Sequence, residues 1–205
     1  MNFGGMMRPV SFGAGSRKSA DERDGVPKPM ARAVSNRHLA AIREASEVLA
    51  VLPSQGESLH AIMTGRYDLT DLLDAMFGKL GRVAEMRIAT LSFNQNNVRQ
   101  IGGWIGGKTP LVGRVTVLCS LFFQDHNPET YEALRQSLRK GDRLAATRNH
   151  CKVVTLRFES GERMAMEGSA NLRTNGNREQ FALYNDAVLH DWHAAWIDDQ
   201  VGHGK

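Results

Sequence analysis

The sequence predicts an α/β fold, a mixed β-sheet flanked by helices on both faces in an α-β-α sandwich. Three observations predict it. Strand-like apolar runs alternate with segments of helical period between residues 58 and 141, the pattern of strand–helix–strand units. A run of adjacent strand-like segments then occupies 142–185. The stretch VGRVTVLCSLFF (112–123) is almost continuously apolar, as expected of a strand covered on both faces.

The elements follow in order. Residues 1–32 are rich in Gly, Pro, Ser and charge with no sustained period, and are expected to form a flexible basic leader ahead of a single domain over 33–205. Ser35 or Asn36 caps a helix carrying Leu39, Ile42, Leu49 and Leu52 and ended by Pro53. SLHAIM (58–63) reads as a short strand. Leu69, Leu72, Leu73, Met76, Phe77 and Leu80 recur at helical spacing over 68–80, with Gly81 as terminator. A strand at 86–93, a helix at 95–105 and the strand at 112–123 come next. NPETYEALRQSLRKG (127–141) opens with Asn-Pro-Glu and stops at Gly, a punctuated amphipathic helix. Strands near 142–149, 150–158, 162–171 and 178–185 precede a last helix over 187–201. No internal repeat is present.

Composition narrows the class. The chain has 205 residues, 41% hydrophobic and 23% charged, ordinary for a globular domain. No apolar run approaches a membrane span, and the N-terminal stretch lacks the apolar core of a signal peptide. Cys119 and Cys151 both sit in apolar strand-like runs and read as buried thiols in a reducing, cytoplasmic setting. Residues 1–38 hold seven Lys/Arg against three acids, leaving 19 basic and 19 acidic residues for the body. The net charge of +4 therefore resides in the leader. A basic arm of this kind contacts phosphates or is simply solvated.

The candidate chemistry lies in RNHCKVVTLRFESGERMAMEGSANL (148–172). Two strands flank a turn, with His150 and Lys152 on one arm and Ser169 and Asn171 on the other. If Ser160-Gly161 is a two-residue turn, facing residues have numbers summing to 321. Lys152 then faces Ser169, and His150 faces Asn171. Residues two apart share a face, so this register gathers four polar groups on one patch, and a one-residue slip would scatter them. The patch suits phosphoryl transfer. A neutral imidazole is a competent nucleophile, and ammonium, amide and hydroxyl donors stabilise charge on a five-coordinate phosphorus. No metal or cofactor is required in that scheme.

The segment resembles the signature of the phospholipase D superfamily, in which His-x-Lys, an Asp and Gly-Ser-x-Asn follow in order. It is most similar to the short bacterial and phage members with one copy of the motif. His150, Lys152, Gly168, Ser169 and Asn171 match, and NGNREQF places Glu179 where members carry an acid. The resemblance implies a phosphohistidine on His150, with Lys152 and Asn171 holding the non-bridging oxygens and Ser169 adding a hydrogen bond. It implies that Glu179 fixes the His150 tautomer. Since the chain holds one motif, it also implies a homodimer that brings two His150 residues together. Two departures stand out. The motif Asp is replaced by Arg157, at an offset that turns it away from the patch, with Glu159 or Glu162 as partial substitutes. The gap between His and Gly-Ser is four residues longer than usual, an even number that preserves facing pairs.

His190 and His193 in LHDWHAAWIDD are three apart, as metal ligands or as part of a packing helix. IGGWIGGKTP (101–110) lacks a Walker pattern and reads as a helix end and turn. Arg148 and Arg173 flank the motif as candidate contacts to a polyanion. Ser92 and Asn94 are candidates to line the same pocket. The leading function is a metal-independent phosphodiesterase acting on nucleic acid. The alternatives are a catalytically weak nucleic-acid-binding protein that uses Arg157 and the basic arm, and a phospholipid head-group hydrolase or transferase.

Overall fold

The computed structural model describes residues 30–32, 37–42, 45–63, 68–173 and 177–203; most of the expected leader, residues 1–29, lies outside them. In chain order the elements are β1 (Met30–Arg32), β2 (Arg37–Ile42), α1 (Ala45–Val48), β3 (Ser58–Met63), α2 (Leu69–Leu80), β4 (Val83–Ala89) and α3 (Gln95–Ile105). They continue with β5 (Val112–Ser120), α4 (Leu121–His126), α5 (Pro128–Ser137), β6 (Arg143–Thr147), β7 (Val153–Phe158), β8 (Arg163–Gly168), β9 (Glu179–Tyr184) and α6 (Ala187–His203).

Among the described residues the strands form one mixed sheet in the order β1-β2-β3-β9-β8-β7-β4-β5-β6. β4, β5 and β6 run parallel, as strands joined by helical crossovers must, while β7, β8 and β9 are successive antiparallel neighbours. The helices cover both faces. The larger core packs α2, α3 and α5 through Leu72, Leu73, Met76, Ile101, Ile105 and Leu134 onto Val117, Val154, Leu156 and Met166. On the opposite face Ile197 of α6 packs on Ala89, Leu118, Ala145 and Val153. Residues of even number on β7 and β8 thus face the larger core, and those of odd number face α6.

The best-punctuated helices form where expected. Asp68 accepts from Asp71 N–H and Asp71 returns the bond to Asp68 N–H, a reciprocal capping box, and Gly81 ends the helix at φ +83°. Asn94 and Asn97 cap α3 in the same way. Two expectations fail. Residues 37–42 form strand β2 beside β3 rather than the first half of a helix; Leu39 and Ile42 suit either period, and pairing with a neighbouring strand decides. The apolar run 112–123 is a strand only to Ser120. The Ser120 hydroxyl accepts from Phe123 N–H and starts α4.

Candidate active site

The carboxyl ends of the parallel strands β4, β5 and β6 lie together, and the motif begins directly after β6. Buried Asn149 fixes the entry to it. Its side-chain amide donates to Thr90 O at 3.0 Å and Leu118 O at 3.5 Å, while its Oδ1 accepts from Cys151 N–H at 3.0 Å. The backbone either side of His150 is thereby tied to the ends of β4 and β5. The other arm is tied to the same place. Leu172 N–H reaches Thr90 Oγ1 at 3.4 Å, and Leu172 O accepts from buried Asn97 Nδ2 at 3.3 Å. Thr90 therefore holds both arms, one through its carbonyl and one through its hydroxyl.

The hairpin register differs from the expected one. Val153 pairs with Glu167 and Arg157 with Arg163, so facing numbers sum to 320. The turn is the cause. Phe158 N–H donates to Glu162 O, Gly161 N–H donates to Phe158 O, and Gly161 takes φ +105°. Glu159, Ser160 and Gly161 thus form a three-residue loop ending in a left-handed glycine, one residue longer than a Ser-Gly turn. Lys152 consequently faces Gly168, whose N–H donates to Lys152 O at 3.2 Å. The expected facing pairs Lys152–Ser169 and His150–Asn171 do not form in a ladder. Residues 149–152 and 169–171 lie beyond its last regular rungs, where side chains are no longer bound by strand parity.

The polar groups are gathered by other contacts. Lys152 Nζ lies 3.0 Å from both His150 Nδ1 and His150 O. An ammonium only donates, so this contact selects the neutral imidazole with its proton on Nε2. Ser169 Oγ donates to Glu179 Oε2 and accepts from Gln180 N–H at 3.0 Å. Burial lowers the Lys152 pKa, and the Glu179 charge opposes that shift. Glu179, at the start of β9, thus links the Ser169 arm by hydrogen bond and the Lys152 arm by charge. Its role toward Ser169 was not legible beforehand, and His150 Nδ1 meets Lys152 instead of the expected Glu179. Gly168 lets β8 and β9 approach, since a Cβ there would lie 2.4 Å from Gln180 O. Asn171 has its Oδ1 buried with no hydrogen-bond partner. His150, Arg148 and Arg173 are exposed around this cluster.

The remaining expectations resolve as follows. Arg157 lies on the α6 side and pairs with Glu85 at 3.1 Å. It lies well down β7 from His150, which precedes that strand, so it makes no contact at the imidazole. Glu159 pairs with Arg82 at 3.6 Å and Glu162 accepts from Ser160; both sit at the hairpin tip and neither substitutes for the missing Asp. Cys119 is buried, its thiol pushed up to about 12 by that burial. Cys151 is exposed, contrary to expectation, because residue 151 precedes β7 and turns outward. His190 and His193 are buried packing residues of α6. His193 takes the Trp196 indole N–H on Nδ1 at 2.9 Å and meets Glu167 Oε1 through Nε2 at 2.5 Å, and His190 Nδ1 meets Asp191 at 2.8 Å. Ser92 is buried, with Oγ unpartnered.

Comparison with solved structures shows the fold to be phospholipase D-like. The chain is similar to Nuc from Salmonella typhimurium, a phospholipase D family member, with a TM-score of 0.52 and 13% identity over 73% of this chain and 96% of that one. It also matches NucT from Helicobacter pylori, with a TM-score of 0.46 and 15% identity over 70% of this chain and 95% of that one. A third match is yeast tyrosyl-DNA phosphodiesterase, with a TM-score of 0.41 and 13% identity, over 62% of this chain and 31% of that one. No protein-family model and no curated protein sequence matches the chain.

Proposed function

We propose that the protein is a metal-independent phosphodiesterase that cleaves nucleic acid through a phosphohistidine on His150. The observation that carries this reading is the cluster of Lys152, Glu179 and Ser169 beside exposed His150, where ligands of open α/β sheets bind. The phosphodiester draws the Lys152 ammonium from His150 Nδ1 to a non-bridging oxygen. Nδ1 is then able to take the ring proton, and the Nε2 lone pair attacks phosphorus as the bond to the leaving oxygen breaks. Lys152 and the Asn171 amide stabilise the negative charge gathered on the phosphoryl oxygens. Arg148 and Arg173 extend the cationic rim toward flanking phosphates, and Gly168 sets the close approach of β8 to β9. His150 of a second copy of the chain, entering as the imidazolium, gives its proton to the leaving oxygen; the imidazole so formed takes a proton from the water that displaces His150 of the first copy from phosphorus, which restores both rings. Two copies related by a two-fold axis supply both imidazoles from one motif.

Three supports bear on the substrate and reaction. The fold is phospholipase D-like, the motif residues lie together without Arg157, and the rim is cationic. The pairing of Arg157 with Glu85 withdraws support from the reading in which Arg157 binds DNA. The test is incubation of the purified protein with plasmid and single-stranded DNA in EDTA, alongside H150A. Cleavage by the native protein and none by H150A is the expected result. DNA retained without cleavage by either protein, or turnover confined to phospholipid vesicles, overturns the proposal.

A further inference from the structure

The short helix α4 carries an exposed aromatic pair just past the carboxyl end of β5. Phe123 is buried, its ring 4.4 Å from Phe93. The Ser120 cap on Phe123 N–H and the bond from Asn127 N–H to Phe123 O at 2.8 Å fix the helix at both ends. With Phe123 anchored inward, its neighbour is turned out: Phe122 is 64% exposed. The His126 ring stacks on it at 4.0 Å between centroids with planes 25° apart, and His126 Nδ1–H donates to Phe122 O at 2.8 Å. Single exposed apolar residues are common on proteins. This one differs in being held in a stacked pair and in where it lies.

That place follows from the sheet. Ser120 at the end of β5 pairs with Thr147 at the end of β6. Phe122 lies two residues beyond the first, and Arg148 and His150 one and three beyond the second. Asn149 ties the chain just before His150 to the ends of β4 and β5, so the ring and the imidazole lie at the same end of the sheet. Exposed Arg148 directly follows Thr147, the partner of Ser120.

We infer that Phe122, backed by His126, is a stacking platform for an unpaired nucleobase flanking the phosphate held at Lys152, which makes single-stranded nucleic acid the preferred substrate. A flat ring accepts any base by its π face, whereas paired bases in a duplex are already stacked on each other. The Arg148 charge matches the adjoining phosphate. The inference rests on the phosphodiesterase reading for the position of that phosphate.

The test measures binding in H150A protein, where turnover does not interfere, by fluorescence anisotropy with a labelled thymidine oligonucleotide, its duplex and an abasic strand of equal length. Adding F122A is expected to weaken single-strand binding by about five- to 150-fold, the alanine cost of one base–aromatic stack. Duplex binding changes little, the abasic strand binds the H150A parent as weakly as the oligonucleotide binds H150A/F122A, and F122W retains affinity. Unchanged single-strand binding in H150A/F122A, or equal loss for single strand and duplex, overturns the platform. So does an altered sedimentation coefficient in F122A, which would make the patch a contact between copies. Hydrolysis of bis(p-nitrophenyl) phosphate by native protein against H150A tests the phosphodiesterase reading separately.

Discussion

Replacing Thr90 with valine removes one hydroxyl from the centre of the site while keeping its volume. Thr90 is 2% exposed. Its Oγ1 donates to Ser92 O at 3.1 Å and accepts from Leu172 N–H at 3.4 Å, so T90V leaves a buried carbonyl and a buried amide unpaired. Each unpaired buried group costs about 1–3 kcal/mol, and the 3.4 Å bond belongs at the low end of that range. The expected loss is therefore about 2–3 kcal/mol in urea unfolding, with no change in the denaturant slope because little surface is altered. Thr90 O remains bonded to Asn149, so the His150 arm stays in place and the disturbance is confined to the Asn171 arm. Amide hydrogen exchange should show faster exchange at Leu172 in T90V and native protection in T90S, which keeps the hydroxyl. Unchanged stability together with unchanged Leu172 exchange would refute the claim that Thr90 ties the two arms.

Three further outcomes follow from the same geometry. G168A places a methyl group 2.4 Å from Gln180 O and 3.1 Å from the Phe181 Cβ; β8 and β9 must separate, costing about 1–3 kcal/mol and loosening Ser169 from Glu179, which calorimetry and nuclease assays on one preparation would show. R157D does not rescue or abolish cleavage, because the position is far from His150, but it lowers stability by about 1 kcal/mol or less through the lost, partly exposed pair with Glu85. Burial alone would raise the Glu85 pKa, yet the hydrogen bond from Arg157 and the charges of Arg87 and Arg157 hold it below the usual range. That contribution is present above the unfolded carboxylate pKa and lost as pH falls through the lower folded one, so the penalty of R157D in pH-dependent unfolding shrinks in acid. Finally, the lowered Lys152 pKa places loss of its ammonium below the usual lysine range, so cleavage declines on the alkaline side. E179Q removes the opposing charge and should move that alkaline limb to lower pH; a shift to higher pH in the kcat/KM profile would contradict the assignment.

The helices with side-chain caps were legible because their signals are local: Asp68 with Asp71, Asn94 with Asn97, and Pro128 after Asn127 all act within one turn. The sheet and its two covered faces followed from the same alternation of periods. Residues 37–42 misled because a handful of apolar positions fit either period and pairing with β3 is a tertiary choice. The hairpin register turned on whether the loop counts Ser160-Gly161 or begins at Glu159, a difference of one residue that sequence spacing alone did not decide. Thr90, Asn97 and Asn149 were missed for a different reason. Their partners lie 82, 75 and 59 residues away, and an isolated Thr or Asn near a strand end carries no sign of such a contact. The motif residues were singled out by their types, but the ladder expected to assemble them does not form. The contact between Ser169 and Glu179 and the anchorage of both arms at Thr90 replace it.

The most direct measurement of the proposed chemistry is acid-quenched or rapid-flow mass spectrometry of the protein mixed with an excess of phosphodiester substrate in EDTA. The account predicts a transient phosphoryl-linked mass on the peptide containing His150, formed in the native protein and missing from H150A. Substrate cleavage without any such adduct, or an adduct on another residue, would contradict it.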